Sequence, residues 1–264
     1  MRISVPNATL AAESFGAGDP VVFLHAAIAD RRMWRGGIER IAASRRAILY
    51  DRRGVGETVA EAADHSAIDD LFAVIHALGD GKPATLVGCS QGGRIALDAA
   101  LRYPARVRKL VLIAGTVTGA PNPVYPAHVP PVMAEIAAAE SAKDWDRVNA
   151  LKARLFLDGA LGEEGRVKDP ARSFFREMHD AILRMPPSGR DTDQPPAYAR
   201  LAELAMPTLV LWGDLDLPHI QDRSRHVAAT APRATGHAIP GTGHLPNLER
   251  PGEVMGLIAE FAAA

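Results

Sequence analysis

The chain has 264 residues, 47% hydrophobic and 23% charged, with a formal net charge of −1 at neutral pH. That suits one large soluble domain with room for an inserted lobe, and gives no reason to expect nucleic acid or an anionic membrane as a partner. A lone cysteine, Cys89, excludes a disulfide framework and a paired-cysteine metal site.

No apolar run approaches the roughly 18 residues of a membrane span. The start, Met1 to Asn7, lacks the apolar core of a signal peptide. A cytoplasmic protein without metal or other cofactor is therefore expected.

In chain order, Val21 to Leu24 is an apolar, β-branched run, and Arg31 to Ala43 has helix-like spacing. Ala47 to Tyr50 reads as a strand, Ile68 to Leu78 as a helix, and Ala84 to Val87 as a strand. A helix follows over Gln91 to Arg102, then a strand over Val107 to Ala114. Buried continuous runs alternating with amphipathic segments predict βαβ units, hence an α/β fold with a mostly parallel central sheet flanked by helices.

From about Thr116 to Ala205 the rhythm breaks. Gly119 to Pro126 is rich in proline; helices are predicted near Pro131–Ala142, Asp144–Leu157 and Asp169–Met185, and Pro186 to Pro196 is polar and again proline-rich. Residues 116–205 thus read as a helical lid inserted between core segments 1–115 and 206–264. The alternation resumes with a strand over Pro207 to Trp212 and a helix over His219 to Ala229. The last helix, Pro251 to Ala264, starts on proline, where a missing N–H costs nothing.

Between the strand ending at Val87 and the helix starting at Gln91 lies Gly88-Cys89-Ser90-Gln91-Gly92-Gly93. A sharp strand-to-helix turn admits only small residues two positions either side of its apex, and it exposes the apex side chain in a strained conformation. Ser90 sits at that apex, and the helix N-terminus behind it offers free N–H groups.

A serine hydroxyl needs a base, and the base needs an orienting carboxylate. Of the histidines after the turn, only His244 lies in a strongly punctuated loop, Ile239 to Pro251. His219 and His226 fall seven apart on a helix and are expected at its surface, as are His128 and His179 in the insertion. His237 lies in a short strand-like stretch. Asp214 and Asp216, at the end of the strand closing on Trp212, both qualify as the acid.

These residues resemble the α/β-hydrolase family over nearly the whole chain. The order Ser90, acid, His244 is the family's order. Phe23-Leu24-His25-Ala26-Ala27, Asp51-Arg52-Arg53-Gly54-Val55-Gly56-Glu57-Thr58, Arg102 to Val107, and Gly241-Thr242-Gly243-His244 with Glu249 and Pro251 also match it. The resemblance implies Asp216 as the acid, an oxyanion hole at the backbone N–H groups of Ala27 and Gln91, and a structural role for His25. The chain departs from the family at Ala26, where glycine is usual, and at Thr58, where serine is usual. Cys89 is expected to point into the fold as a buried, inert thiol.

Within that family, Ser90 argues against the branches that carry aspartate at the turn. Cys89 and Leu245 stand where ring-cleavage C–C hydrolases often have Asn and Trp. The serine esterases, enol-lactonases and cofactor-free haloperoxidases look closest. Apolar lid residues such as Phe156, Phe174 and Met178, with Ile28 and Leu245 near the expected site, point to a small or medium apolar acyl or aryl ester, or a lactone, as substrate. C–C hydrolysis, perhydrolysis and a ligand-binding receptor of the same fold remain as alternatives.

Overall fold

The computed structural model describes residues 1–193 and 195–264; Gln194, in the proline-rich run predicted to end the insertion, lies outside the described residues. The strands are β1 (Arg2–Val5), β2 (Ala8–Phe15), β3 (Pro20–Leu24), β4 (Arg46–Tyr50), β5 (Val59–Ala60), β6 (Ala84–Cys89), β7 (Val107–Ile113), β8 (Thr208–Gly213) and β9 (Ala234–Ile239). Their order is β1-β2-β4-β3-β6-β7-β8-β9, with β5 paired to β2. From β4 to β9 all pairings are parallel, whereas β1 and β2 join antiparallel.

β3, β6 and β8 are buried along their whole length, as strands covered on both faces must be. Alternate residues feed opposite cores, since side chains on a strand have a period of two. Val22, Leu24, Leu86, Leu110 and Val210 pack with α2 (Ala67–Leu78), α3 (Gln91–Arg102) and α7 (Pro218–Thr230). Val21, Phe23, Val87, Val111 and Leu211 pack with Trp34, Ile41 of α1 (Glu39–Ala42), and Val254 and Ile258 of α9 (Pro251–Ala263). Each such aliphatic side chain contributes about 1.5–3 kcal/mol by burial.

The predicted helix over Arg31 to Ala43 is not continuous. It divides into a 3₁₀ turn, Arg31–Trp34, and the short α1. The cause lies between them, where Gly37 takes a left-handed φ of 86° that breaks the helical path. β1 and β2 were not anticipated. β2 reads ATLAAESF, whose alanines and charge give little strand propensity; its pairing with β4 holds it in place.

Between β7 and β8 the chain forms α4 (Val129–Ala142), α5 (Trp145–Lys152), a π-helical turn (Ala153–Leu157) and α6 (Ala171–Leu183), then a 3₁₀ segment, Ala197–Glu203, that the sequence did not signal. Ile136, Leu151 and Leu155 pack against Leu217 and Ile220 at the start of α7. The helices thereby lean on the carboxyl ends of the strands. The last short helix, α8 (Pro246–Glu249), follows the His244 loop.

The chain leaves β3 towards β4 and leaves β6 towards β7 on the other side. The direction of winding reverses between two neighbours, β3 and β6, which opens a crevice at their carboxyl ends. Residues 25–27 and Ser90 follow those two strand ends directly.

Candidate active site

Ser90 stands at the N-terminus of α3 with φ 52° and ψ −115°, a conformation that costs a non-glycine residue on the order of 1–3 kcal/mol. Backbone bonds hold it there: its N–H donates to Ile113 O at 2.9 Å, and its carbonyl accepts from Arg94 at 3.0 Å and Thr116 at 3.2 Å. The flanking glycines are a matter of space. A Cβ on Gly88 would collide with the Gly92 carbonyl, and one on Gly92 with the Leu24 carbonyl.

Asp216 and His244 are brought together. Asp216 is fully buried and its Oδ2 lies 2.7 Å from His244 Nδ1. Its Oδ1 accepts the Leu217 N–H at 2.7 Å, and Gln221 Nε2 donates to its main-chain oxygen at 2.8 Å. Since a carboxylate only accepts, the contact is made with Nδ1 as donor, and Nε2 is left as an acceptor. Asp214 lies exposed and accepts the Gly241 N–H at 2.6 Å. Two residues apart on one turn, the carboxylates thus serve different ends.

Three bonds fix the loop that carries His244. Asp214 holds Gly241, Glu249 Oε1 accepts the Gly243 N–H at 2.7 Å, and the His244 N–H donates to Phe156 O at 2.9 Å. Glu249 is in turn paired with Arg166 at 2.6 Å, and burial pushes its carboxyl above the usual range. The Phe156 ring stands 5.3 Å from the imidazole, tilted by 51°. The helical stretch ends at Leu157, and the last carbonyls of a helix have no partner within it: Phe156 O takes His244, and Leu157 O takes Arg166 at 3.1 Å. Sequence reasoning missed Arg166 and this π turn. Nothing in a helix-like stretch announces which carbonyls it will free.

Among the described residues, Ser90 Oγ makes no hydrogen bond, and the backbone N–H groups of Ala27 and Gln91 donate to no protein group. The two loops still touch: Cys89 Sγ approaches the His244 main-chain oxygen at 3.9 Å. Cys89 is fully buried, and desolvation raises its thiol pKa. Its side chain points into the fold, as expected.

His25 is wholly buried, with Nδ1 2.8 Å from Ala26 O and Nε2 accepting the Arg52 N–H at 3.0 Å. Burial and the Arg52 charge keep it well below the usual histidine range, so it is a neutral strut. Thr58 bridges Asp51 O at 2.6 Å and the Ala11 N–H at 2.9 Å, so its hydroxyl does what a serine's would. Ala26 is completely covered, and its N–H meets Met33 Sδ at 3.4 Å.

One expectation is overturned. His179 is not at the surface: it is buried, stacks on Phe175 at 5.6 Å, and its Nδ1 lies 3.2 Å from Asn149 Oδ1. Desolvation pulls its pKa down to about 4. α6 turns its most apolar face inwards and takes the imidazole with it. His219 and His226 are half-buried against Tyr125 and Tyr198, and His237 lies exposed on the edge strand β9.

Residues 21–257 match the model of the alpha/beta hydrolase family; the chain belongs to that family. It is 31% identical over 240 residues to the dihydrolipoyllysine-residue acetyltransferase component of an acetoin cleaving system from Pseudomonas putida, covering 88% of this chain but only 60% of that protein. It is 29% identical over 260 residues to a 2-hydroxymuconate semialdehyde hydrolase from Pseudomonas sp. (strain CF600), covering 94% of this chain and 88% of the other. Among solved structures, a thermophilic esterase from Thermogutta terrifontis superposes with a TM-score of 0.77 at 26% identity, covering 100% of this chain and 97% of that one. No described helix is long and apolar enough to cross a membrane.

Proposed function

We propose that the protein is a serine hydrolase that cleaves a small or medium carboxylic ester or lactone through an acyl-enzyme. The observation that carries this reading is the buried 2.7 Å contact between His244 and Asp216, set beside a serine held at φ 52°.

In this mechanism His244 Nε2 takes the proton of Ser90 as Oγ attacks the carbonyl carbon, and Asp216 stabilises the imidazolium that forms. The uncommitted N–H groups of Ala27 and Gln91 receive the oxyanion, each worth about 2.7–4 kcal/mol in the transition state. His244 then returns the proton to the departing alcohol, and water repeats the sequence on the acyl-enzyme. The serine–base hydrogen bond tightens when substrate fills the site. Residues 116–205 act as the lid, with Phe156 facing the base.

Ser90→Ala tests this directly. Hydrolysis of p-nitrophenyl butyrate is expected to vanish while the circular dichroism spectrum and melting temperature are kept, and labelling by a fluorophosphonate probe is expected to vanish with it. Activity retained in that variant would refute the mechanism. C–C bond hydrolysis on the same residues is the second reading, favoured by the semialdehyde hydrolase relative. A ring-fission semialdehyde assayed beside the ester separates the two.

A further inference from the structure

A cavity of about 290 Å³ opens beside the two proposed oxyanion donors: Ala27 and Gln91 line it, together with Tyr50, Arg52 and Arg53. Three buried polar atoms of those residues have no partner among the described residues, namely Tyr50 Oη, Arg52 Nε and Arg53 Nη1. Tyr50 is 1% exposed and Arg53 8%. A buried donor without an acceptor costs free energy. All three have almost no accessible surface, so they lie within the cavity wall and do not face a bound molecule.

The charges around the cavity are what distinguish it. Asp70 lines it but is taken by Arg53, at 2.7 Å to Nε and 2.9 Å to Nη2. Asp191 lines it too, paired with Arg94 and accepting the N–H groups of Ala67 and Asp193 at 3.1 Å each. Arg52 makes no ion pair among the described residues, with Asp191 and Asp51 attracting it only from farther off. Its guanidinium donates to Gln91 Oε1 at 2.9 Å and His25 O at 3.2 Å, both neutral acceptors. Burial lowers its pKa to about 10, so it remains a cation at neutral pH.

From this geometry we infer that the cavity receives a carboxylate carried by the substrate, with Arg52 as its counter-ion. A guanidinium matches a planar carboxylate in shape and in charge. The inference rests on the serine-hydrolase reading and gives it a substrate class: carboxylate-bearing esters or lactones. Ser188 and Met185, from the end of the insertion, form the opposite wall. Arg52 is a specificity residue in this scheme and takes no part in bond making.

The carboxylate belongs to the acyl or to the alcohol part of the substrate, and two assay arms distinguish these. Mono-p-nitrophenyl glutarate is compared with p-nitrophenyl butyrate, and 4-butyryloxybenzoate with phenyl butyrate. In one arm the wild type is expected to favour the anionic ester, and Arg52→Gln to lower that ratio of kcat/KM by roughly 10- to 100-fold. Arg52→Lys is expected to recover part of it, which a purely structural role would not produce.

Ser188→Asp sets a competing carboxylate at the cavity wall without touching Arg52, and is expected to abolish the preference. It keeps the test alive if Arg52→Gln misfolds. Calorimetric titration with glutarate and with benzoate reads the cavity without turnover, so failure of the hydrolase reading leaves it decisive. Binding of either to the wild type, at least tenfold weaker in Arg52→Gln or Ser188→Asp, is the expected result. Equal ratios in both arms together with no binding of either anion would overturn the inference.

Discussion

At the scale of single residues, two carboxylates two positions apart have separate work. Asp216 faces the imidazole, whereas Asp214 holds the Gly241 amide. Asp216→Asn is therefore expected to lower kcat for p-nitrophenyl butyrate by roughly 10³- to 10⁴-fold, since an amide in that place favours the wrong tautomer. Asp214→Asn keeps an acceptor oxygen for Gly241 and is expected to stay within about tenfold of wild type. Steady-state kinetics on the pair decides the assignment; equal effects would remove Asp216 from its role. Gly92→Ala drives a methyl into the Leu24 carbonyl, and a loss of about 2 kcal/mol or more is expected in urea unfolding.

At the scale of elements, the π turn and the His244 loop act as one piece. Arg166 joins them, donating to Leu157 O at 3.1 Å, Gly241 O at 2.8 Å and Glu249 Oε2 at 2.6 Å. Arg166→Ala is expected to lower kcat by about 10- to 100-fold through loss of orientation, with KM little changed. Kinetics with a small ester, alongside the melting temperature, checks it; an unchanged kcat would show that the loop holds itself. The strand–turn–helix around Ser90 could be read in advance because Gly88, Gly92 and the run to Arg102 are local signals. Arg166 could not: its partners lie up to 83 positions away. β2 was hidden for a similar reason, since pairing with β4 holds it where its own composition would not.

At the scale of the whole molecule, the parallel sheet and the flanking helices were legible because long periodic segments announce themselves. Burial of individual polar groups was not, as His179 demonstrates. Asp98 is another such group, fully enclosed in α3, with Arg94 at 2.9 Å and Asp191 and Asp193 nearby. Burial raises its carboxyl to about 7. A folded carboxyl that holds its proton more tightly than the unfolded one stabilises below the ordinary carboxylate range, and that contribution fades as pH climbs towards 7. Asp98→Asn is expected to flatten the melting temperature between about pH 4 and 7, as differential scanning fluorimetry would record. An identical slope in the variant would assign the pH response elsewhere.

The amide of His244 hangs from the Phe156 carbonyl, and Phe156 belongs to the stretch spliced between β7 and β8. A shortened protein made by deleting that stretch and rejoining the two strands would retain Ser90, Asp216 and His244, but it would lose the peg on which the imidazole loop rests. Grafting another helical segment between those strands therefore succeeds only if the donor brings its own substitute for that carbonyl.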